Sequence, residues 1–212
     1  MRLYRPTGLQ ELALVFRAQM KAWPPRLDDQ PIFYPVMNVA YAREIAKGWN
    51  TKFDSCVGYV TQFEVDETYI SQFSVEIVGD KTNAELWIPA EELSTFNDHM
   101  IGDIEVVEAH FGRGFLEHSR YDGYAQEGQT IADDLLQWYQ LIQASDYDGI
   151  LELITHHQEK VFLHYPYWLC ADSSELPIDA SQRREVLELM DRIWGQHMPY
   201  KLCRAAYQVE VP

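Results

Sequence analysis

The apolar residues near the amino terminus follow two different spacings. Leu3–Arg5 alternates between apolar and polar side chains, which predicts a short first strand that Pro6 ends. From Leu9 to Phe16, apolar residues recur at intervals of three and four, which is the pattern of an amphipathic helix. Together with the Trp-Pro-Pro sequence that follows, this pattern predicts a helix over about residues 8–21.

The next segments have the composition of strands and of one short helix. Residues 32–36 are the next predicted strand, and Asn38 behind them is suited to cap a helix that Gly48 ends. β-branched and aromatic residues then dominate VGYVTQFEV, which predicts a strand over 57–65. Further strands are predicted over 73–78, 85–88 and 102–108, with a turn over 79–83.

The second half of the chain has helical periodicity instead. Three helices are predicted, in ADDLLQWYQLIQA, YDGILELITHHQEKVF and ASQRREVLELMDRIW. We therefore expect an α+β protein with a mixed sheet in residues 1–110. The helical region, residues 111–212, either packs on this first half or forms a small second domain.

Composition narrows the range of partners. With 212 residues, of which 47% are hydrophobic, the chain can build a substantial core. The formal net charge of -16 opposes the approach of phosphate backbones, so non-specific binding of nucleic acid through a basic face is not expected. The same charge suits a basic protein partner.

The cysteines and the apolar segments bear on the compartment. Cys56, Cys170 and Cys203 are odd in number and far apart, which is typical of a protein from a reducing environment. No apolar stretch has the length of a membrane span, and the first residues lack the pattern of a signal peptide. We expect a cytoplasmic protein that does not insert into a membrane.

Motifs for common chemistries are weak or absent in the sequence. His156 and His157 would point about 100° apart on a helix, so they are not expected to share a metal ion. The acidic pairs 28–29 and 133–134 suit a solvated loop and the first turn of a helix. The glycines around Gly112 do not match a phosphate-binding loop, and no Ser or Cys lies in a nucleophile motif. No metal site is predicted.

Five blocks of the first half occur together in the order of a known family. They are LYRPTGLQEL, WPPRLDDQPIFYPVMNVAYAREIAKGWN, GYVTQFEV, ELWIPAEELSTFN and IGDIEVVEAHFG. On these blocks, residues 1–110 resemble a family of small bacterial proteins labelled "ADP-ribosylation/crystallin". The order of predicted elements is also similar to that of the ADP-ribosyltransferase fold.

The transferase resemblance implies an activity and a set of residues. Arg5 on the first strand, Tyr34 before a helix and Glu85 on a later strand match the family's arrangement. The implied reaction transfers ADP-ribose from NAD to a macromolecular target. Arg5 would hold the pyrophosphate or the ribose, Tyr34 would stack on nicotinamide, and Glu85 would stabilise the oxocarbenium ion. Tyr41 and Asn38 complete the implied NAD-binding set.

Several alternatives stay open at the level of sequence. An Arg in the first position with a Tyr in the second combines features of two transferase subtypes, and Glu91 or Glu92 could replace Glu85. Without turnover, the same fold could act as a nucleotide-sensing module. A third hypothesis is a non-catalytic acidic protein, such as an immunity factor or inhibitor, that binds a basic partner. The transferase hypothesis requires Arg5, Tyr34 and Glu85 to meet in one cleft.

Overall fold

The computed structural model describes residues 1–79 and 83–209, so residues 80–82 of the predicted turn lie outside the described residues. The first half contains β1 (Arg2–Thr7), α1 (Leu9–Arg17), β2 (Ile32–Phe33), α2 (Val39–Gly48), β3 (Val57–Val65), α3 (Glu67–Ile70), β4 (Ser74–Ile77), β5 (Ala84–Pro89), α4 (Leu93–Asp98) and β6 (Met100–Phe111). The second half contains α5 (Phe115–His118), α6 (Asp134–Gln143), α7 (Tyr147–His156), α8 (Gln158–Cys170), α9 (Ala180–His197) and β7 (Ala206–Gln208). Short 3₁₀ turns occupy Asn50–Lys52, Ala90–Glu92 and Ser173–Glu175.

The predicted α+β class is confirmed. Helix accounts for 45% of the chain and strand for 21%, and the strands form a mixed arrangement. The larger sheet has the order β1-β3-β6-β7, in which only the β6–β7 pair is parallel. The smaller sheet has the antiparallel order β2-β5-β4. Val36 connects the two sheets through isolated bridges to Tyr4 and to Glu85.

The two faces of β1 have different neighbours. Leu3, Arg5 and Thr7 are buried on one face, and Leu3 belongs to the main hydrophobic core. Tyr4 packs on the opposite side with Val36 and residues of α2. The alternation of side chains along a strand therefore places Tyr4 and Arg5 on opposite faces of the sheet.

One hydrophobic cluster spans both halves of the chain. It extends from Phe63 in β3 to Trp168 and Trp194 in α8 and α9. The phenol of Tyr59 donates a hydrogen bond of 2.8 Å to the carbonyl oxygen of Leu163, and both residues are fully buried. The helical region thus packs on the first half, and β7 extends the larger sheet.

The first helix is shorter than its apolar pattern predicts. It ends at Arg17, because Gln19 and Met20 adopt left-handed backbone angles with φ of 57° and 56°. Met20 and Trp23 are nevertheless buried in the core. The chain after Arg17 thus buries apolar side chains as a folded-back loop and not as the continuation of the helix that was predicted to about residue 21.

The second half also differs from the predicted three helices. The segment YDGILELITHHQEKVF is divided at His157 into α7 and α8, and the side chain of Asp146 caps α7 by accepting from the Gly149 amide. α8 then continues through VFLHYPYWLC with Pro166 inside it. Most residues of this helix are buried, so its sequence lacks the alternation of apolar and polar faces that predicts a helix.

No helix within residues 1–79 and 83–209 is long and apolar enough to cross a membrane.

The position of α2 depends on one glycine of β3. Ala42 and Ala46 of α2 face the sheet, and both are fully buried. A Cβ atom added at Gly58 would lie 2.3 Å from the carbonyl oxygen of Ala46 and 2.7 Å from its Cα. Only a residue without a side chain therefore allows the helix backbone to approach the sheet this closely.

We expect Gly58→Ala to lower the free energy of unfolding by about 1–3 kcal/mol, because α2 must move away from the sheet. Urea denaturation followed by circular dichroism measures this change. The matched control is Gly48→Ala at the end of α2, where an added Cβ meets no atom within 4 Å. That substitution should leave stability unchanged or raise it by about 0.5–1 kcal/mol. Equal effects of the two substitutions would contradict the proposed close packing.

Candidate functional site

A pocket lies at the point where the two sheets part. The backbones of Tyr4 and Val36 exchange two hydrogen bonds, of 2.9 Å and 2.8 Å. In an antiparallel ladder the next hydrogen-bonded pair would join Pro6 to Tyr34, but Pro6 has no N–H to donate. Both residues instead line a cavity of about 400 Å³. We call this cavity the split-sheet pocket; its other walls come from Arg5, Glu11, Arg26, Ile45, Trp49 and Asn50.

The pocket contains two buried cations and one carboxylate. The side chains of Arg5 and Arg26 are only 7% and 9% exposed. Nε of Arg5 donates to Oε1 of Glu11 at 2.8 Å, and a terminal nitrogen of Arg26 lies 3.7 Å from the same oxygen. Burial, and then the charge of Arg5, lower the pKa of Arg26. The pocket walls therefore hold two positive charges and one negative charge, and Asp29, which lies outside these walls, offsets part of the charge of Arg26. The remaining excess of positive charge favours an anionic ligand.

Aromatic rings surround these guanidinium groups. The central carbon of Arg5 lies 4.7 Å from the ring centre of Phe33 and 5.6 Å from that of Tyr34. The corresponding distance from Arg26 to Tyr34 is 5.9 Å. These distances are within the range of cation–π attraction, which holds the Tyr34 ring between two cations. Phe33 is buried, whereas Tyr34 is 44% exposed, as the alternation of a strand predicts.

A second ring lies at the mouth of the pocket. Trp49 follows the last residue of α2 and is 64% exposed. Its ring is 4.6 Å from that of Phe53, which supports it from the side. A large exposed indole beside a cationic pocket is suited to stack on a planar ligand group.

Glu85 lies in a separate hydrogen-bonded group. Its Oε1 accepts from the phenol of Tyr41 at 2.8 Å, and its Oε2 accepts from the indole N–H of Trp87 at 3.1 Å. Burial, and then the hydrogen bond and charge of Glu85, raise the pKa of Tyr41 to about 12. Asn38 caps α2 by accepting from the Tyr41 amide at 2.8 Å. This arrangement orients the carboxylate of Glu85 before any ligand binds.

The five predicted site residues therefore form two groups. Arg5 and Tyr34 meet in the split-sheet pocket, whereas Tyr41 and Glu85 meet beside it. Glu85 is bridged to Val36, which is bridged to Tyr4, so its side chain shares the face of Tyr4 and not that of Arg5. Within the described part of the chain, the walls of the pocket do not include Glu85. Tyr34 lies between the groups, since its phenol contributes to the raised pKa of Tyr41.

Four of the pocket residues that the sequence interpretation missed bear on ligand binding. Glu11 is a partly buried residue of α1, and Arg26 is in the loop before β2. Trp49 and Asn50 directly follow the glycine that ends α2. The position of Trp49 could have indicated a binding role, because a large aromatic residue just after the end of a helix is not needed for the core. The contact between Glu11 and Arg26 could not be predicted from the sequence, because a helix residue and a loop residue have no strand register that would bring them together.

A larger cavity, of about 670 Å³, lies between α1 and the start of α8. Its charged groups already have partners. Arg17 donates to both carboxylate oxygens of Glu159, at 2.8 Å and 2.7 Å, and Lys160 donates to Asp134 at 2.9 Å. The larger cavity therefore offers few unpaired charged groups to a ligand. For this reason we choose the split-sheet pocket as the candidate site.

The histidines and acidic residues do not form a metal centre in the described part of the chain. No group of three or more His, Cys, Asp or Glu residues within 1–79 and 83–209 is arranged to hold an ion. His164 instead forms a fully buried pair with Asp122, at 3.3 Å.

Comparison with known proteins adds no assignment: no family model, curated protein or solved structure matches the chain. The resemblance of residues 1–110 to the "ADP-ribosylation/crystallin" family stays a prediction.

We expect Tyr41→Phe to reduce stability at pH 8, because Glu85 loses a hydrogen-bond donor. The raised pKa of Tyr41 gives the sign of the pH dependence. Between pH 10 and about 12 the unfolded phenol loses its proton while the folded phenol keeps it, so the contribution of Tyr41 falls as pH rises. The difference in urea midpoint between wild type and Tyr41→Phe should therefore narrow over this range. A difference that stays constant with pH would contradict the proposed Tyr41–Glu85 contact.

Proposed function

We propose that the protein binds a nucleotide of the NAD type in the split-sheet pocket. The observation that carries this proposal is the pair of buried guanidinium groups, Arg5 and Arg26, which share the single carboxylate of Glu11. Next to them are the exposed rings of Tyr34 and Trp49. Nucleotides combine the two properties that this pocket selects, a phosphate and a planar ring.

The two parts of the ligand would make different interactions. Phosphate oxygens would accept charge-assisted hydrogen bonds from the guanidinium groups and neutralise the surplus positive charge. A base would stack on Trp49 or Tyr34, since base–aromatic stacking depends on the π-face rather than on base identity. The overall charge of -16 disfavours a nucleic-acid backbone, so a small ligand that enters the pocket fits better than a polymer.

ADP-ribosyl transfer is the catalytic form of this proposal. Cleavage of NAD at the nicotinamide needs a carboxylate near the ribose, where positive charge develops. Glu85 has a fixed orientation that suits this task. A ligand bound by Arg5 would reach Glu85 only if it extends past Tyr34 toward Tyr41. The requirement that Arg5, Tyr34 and Glu85 meet in one cleft is not met, because Glu85 lies outside the pocket walls and on the opposite face from Arg5. The geometry therefore supports nucleotide binding rather than turnover, which is the sensing form of the hypothesis. The hypothesis of an acidic protein with a basic partner still depends on net charge alone.

We expect wild-type protein to bind NAD and ADP-ribose in isothermal titration calorimetry, and Trp49→Ala to weaken this binding. Loss of one stacked base is worth about 1–3 kcal/mol, which corresponds to a roughly 5- to 150-fold change in affinity. Tyr34→Ala should act in the same direction. Tyr121→Ala is the matched control, because it removes an aromatic ring that is 78% exposed and lies away from the pocket. No binding of either ligand by the wild type would contradict the proposal.

We expect Glu85→Gln to abolish any transfer of label from NAD to proteins of a cell lysate while NAD binding persists, since the amide cannot stabilise positive charge. Glu91→Gln and Glu92→Gln serve as matched comparisons, because both lie in the 3₁₀ turn after β5 and were alternatives in the sequence. Equal labelling by wild type and Glu85→Gln would remove Glu85 from the mechanism. Binding without nicotinamide release by the wild type would single out the sensing form.

A further inference from the structure

Two polar atoms of the split-sheet pocket are buried without a partner. Nε of Arg26 and Oδ1 of Asn50 are shielded from solvent and make no hydrogen bond to any described residue. Both side chains line the pocket. Buried polar atoms in native proteins almost always have a partner, so two exceptions in one cavity require an explanation.

The two atoms need opposite partners. Nε–H of Arg26 is a donor and suits an anionic oxygen. Oδ1 of Asn50 is an acceptor and needs an O–H or N–H group. A fully ionised phosphate has no hydrogen to give to Asn50, and a neutral nucleoside offers Arg26 an acceptor but no compensating charge. A ligand with both an anionic oxygen and a neutral donor satisfies both atoms and the charge of Arg26.

We propose that Arg26 and Asn50 select a nucleoside phosphate, with a phosphate oxygen on Nε of Arg26 and a ribose hydroxyl or base amino group on Oδ1 of Asn50. This inference rests on the proposed function and specifies which residues read the ligand. Because both atoms are shielded from solvent in the ligand-free protein, the proposal requires the two side chains to rotate when the ligand binds. Neither residue was part of the NAD-binding set that the sequence predicts.

Two carboxylates act on Arg26, and neither accepts a hydrogen bond from its Nε: the charge of Asp29 stabilises the charged guanidinium only from a distance. Glu11, the carboxylate next to Arg26, accepts its shorter contact from Arg5. The lowered pKa of Arg26 agrees with a guanidinium that is desolvated and close to another cation. Arginine nevertheless keeps its proton, so the unmatched charge persists until an anion enters.

The unpaired Oδ1 of Asn50 gives a test that does not need a ligand, because substitutions of Asn50 and of a hydrogen-bonded asparagine should change the melting temperature in opposite directions. Asn50→Leu eliminates a buried polar atom without breaking a bond to Oδ1, so it should raise the melting temperature of the ligand-free protein. Asn97 is the matched control, because its side chain bonds both the amide and the carbonyl of Trp23, at 2.9 Å and 3.0 Å. Asn97→Leu should lower the melting temperature.

Calorimetric titration with ADP-ribose and with adenosine provides the test of ligand selection. We expect Asn50→Leu to weaken the binding of both compounds, and ADP-ribose affinity to fall about tenfold or more. Arg26→Met should weaken ADP-ribose by about tenfold or more and leave adenosine unchanged, because only the phosphates contact Arg26. Asn50→Ala provides a second variant in case leucine does not fit.

Three results would overturn the inference in distinguishable ways. Tight binding of ADP-ribose that Asn50→Leu, Asn50→Ala and Arg26→Met all leave unchanged would overturn the selection of ligand by these residues, while the proposed function stands. A melting temperature that falls in both Asn50 variants as it does in Asn97→Leu would also overturn the inference. Absence of any NAD or ADP-ribose binding by the wild type would overturn the proposed function and the inference together.

Discussion

The candidate site depends on one constraint, which is that the pairing between β1 and the segment of Val36 ends at Pro6, although β1 itself continues to Thr7 along β3. Tyr4 and Val36 exchange both of their backbone hydrogen bonds, and the next position of the ladder has no donor. The two sheets therefore share a narrow connection and part immediately beyond it. A residue with an N–H at this position could extend the ladder and close the space that the pocket occupies.

Charge inside this opening differs in sign from the charge of the protein as a whole. The chain carries a formal net charge of -16, yet the split-sheet pocket holds two buried guanidinium groups and one carboxylate. Contact with Trp23, Phe33 and Tyr34 compensates part of the desolvation of Arg5 through cation–π attraction. The remaining imbalance favours an anionic ligand over a cation or an apolar molecule in the pocket.

The sequence predicted correctly those helices and strands that are determined by residues within or next to them. α2 follows its predicted cap at Asn38 and its predicted end at Gly48, and β3 occupies 57–65 as predicted. The predictions failed where a distant contact decides the structure. α1 ends at Arg17 and not near residue 21, and β7, which the sequence did not predict, pairs in parallel with the distant strand β6.

By itself, the sequence determined the chemistry of the side chains, the class of the fold and the alternation that buries Phe33 and exposes Tyr34. These features follow from spacing and composition along a short stretch of chain. Only the tertiary structure decided that Arg26, Glu11 and Asn50 meet Arg5 in one pocket, and that Glu85 lies beside it with Tyr41. The physical reason is that the face of a side chain depends on the strand register, and Val36 sets this register by bridging residues that are far apart in the sequence.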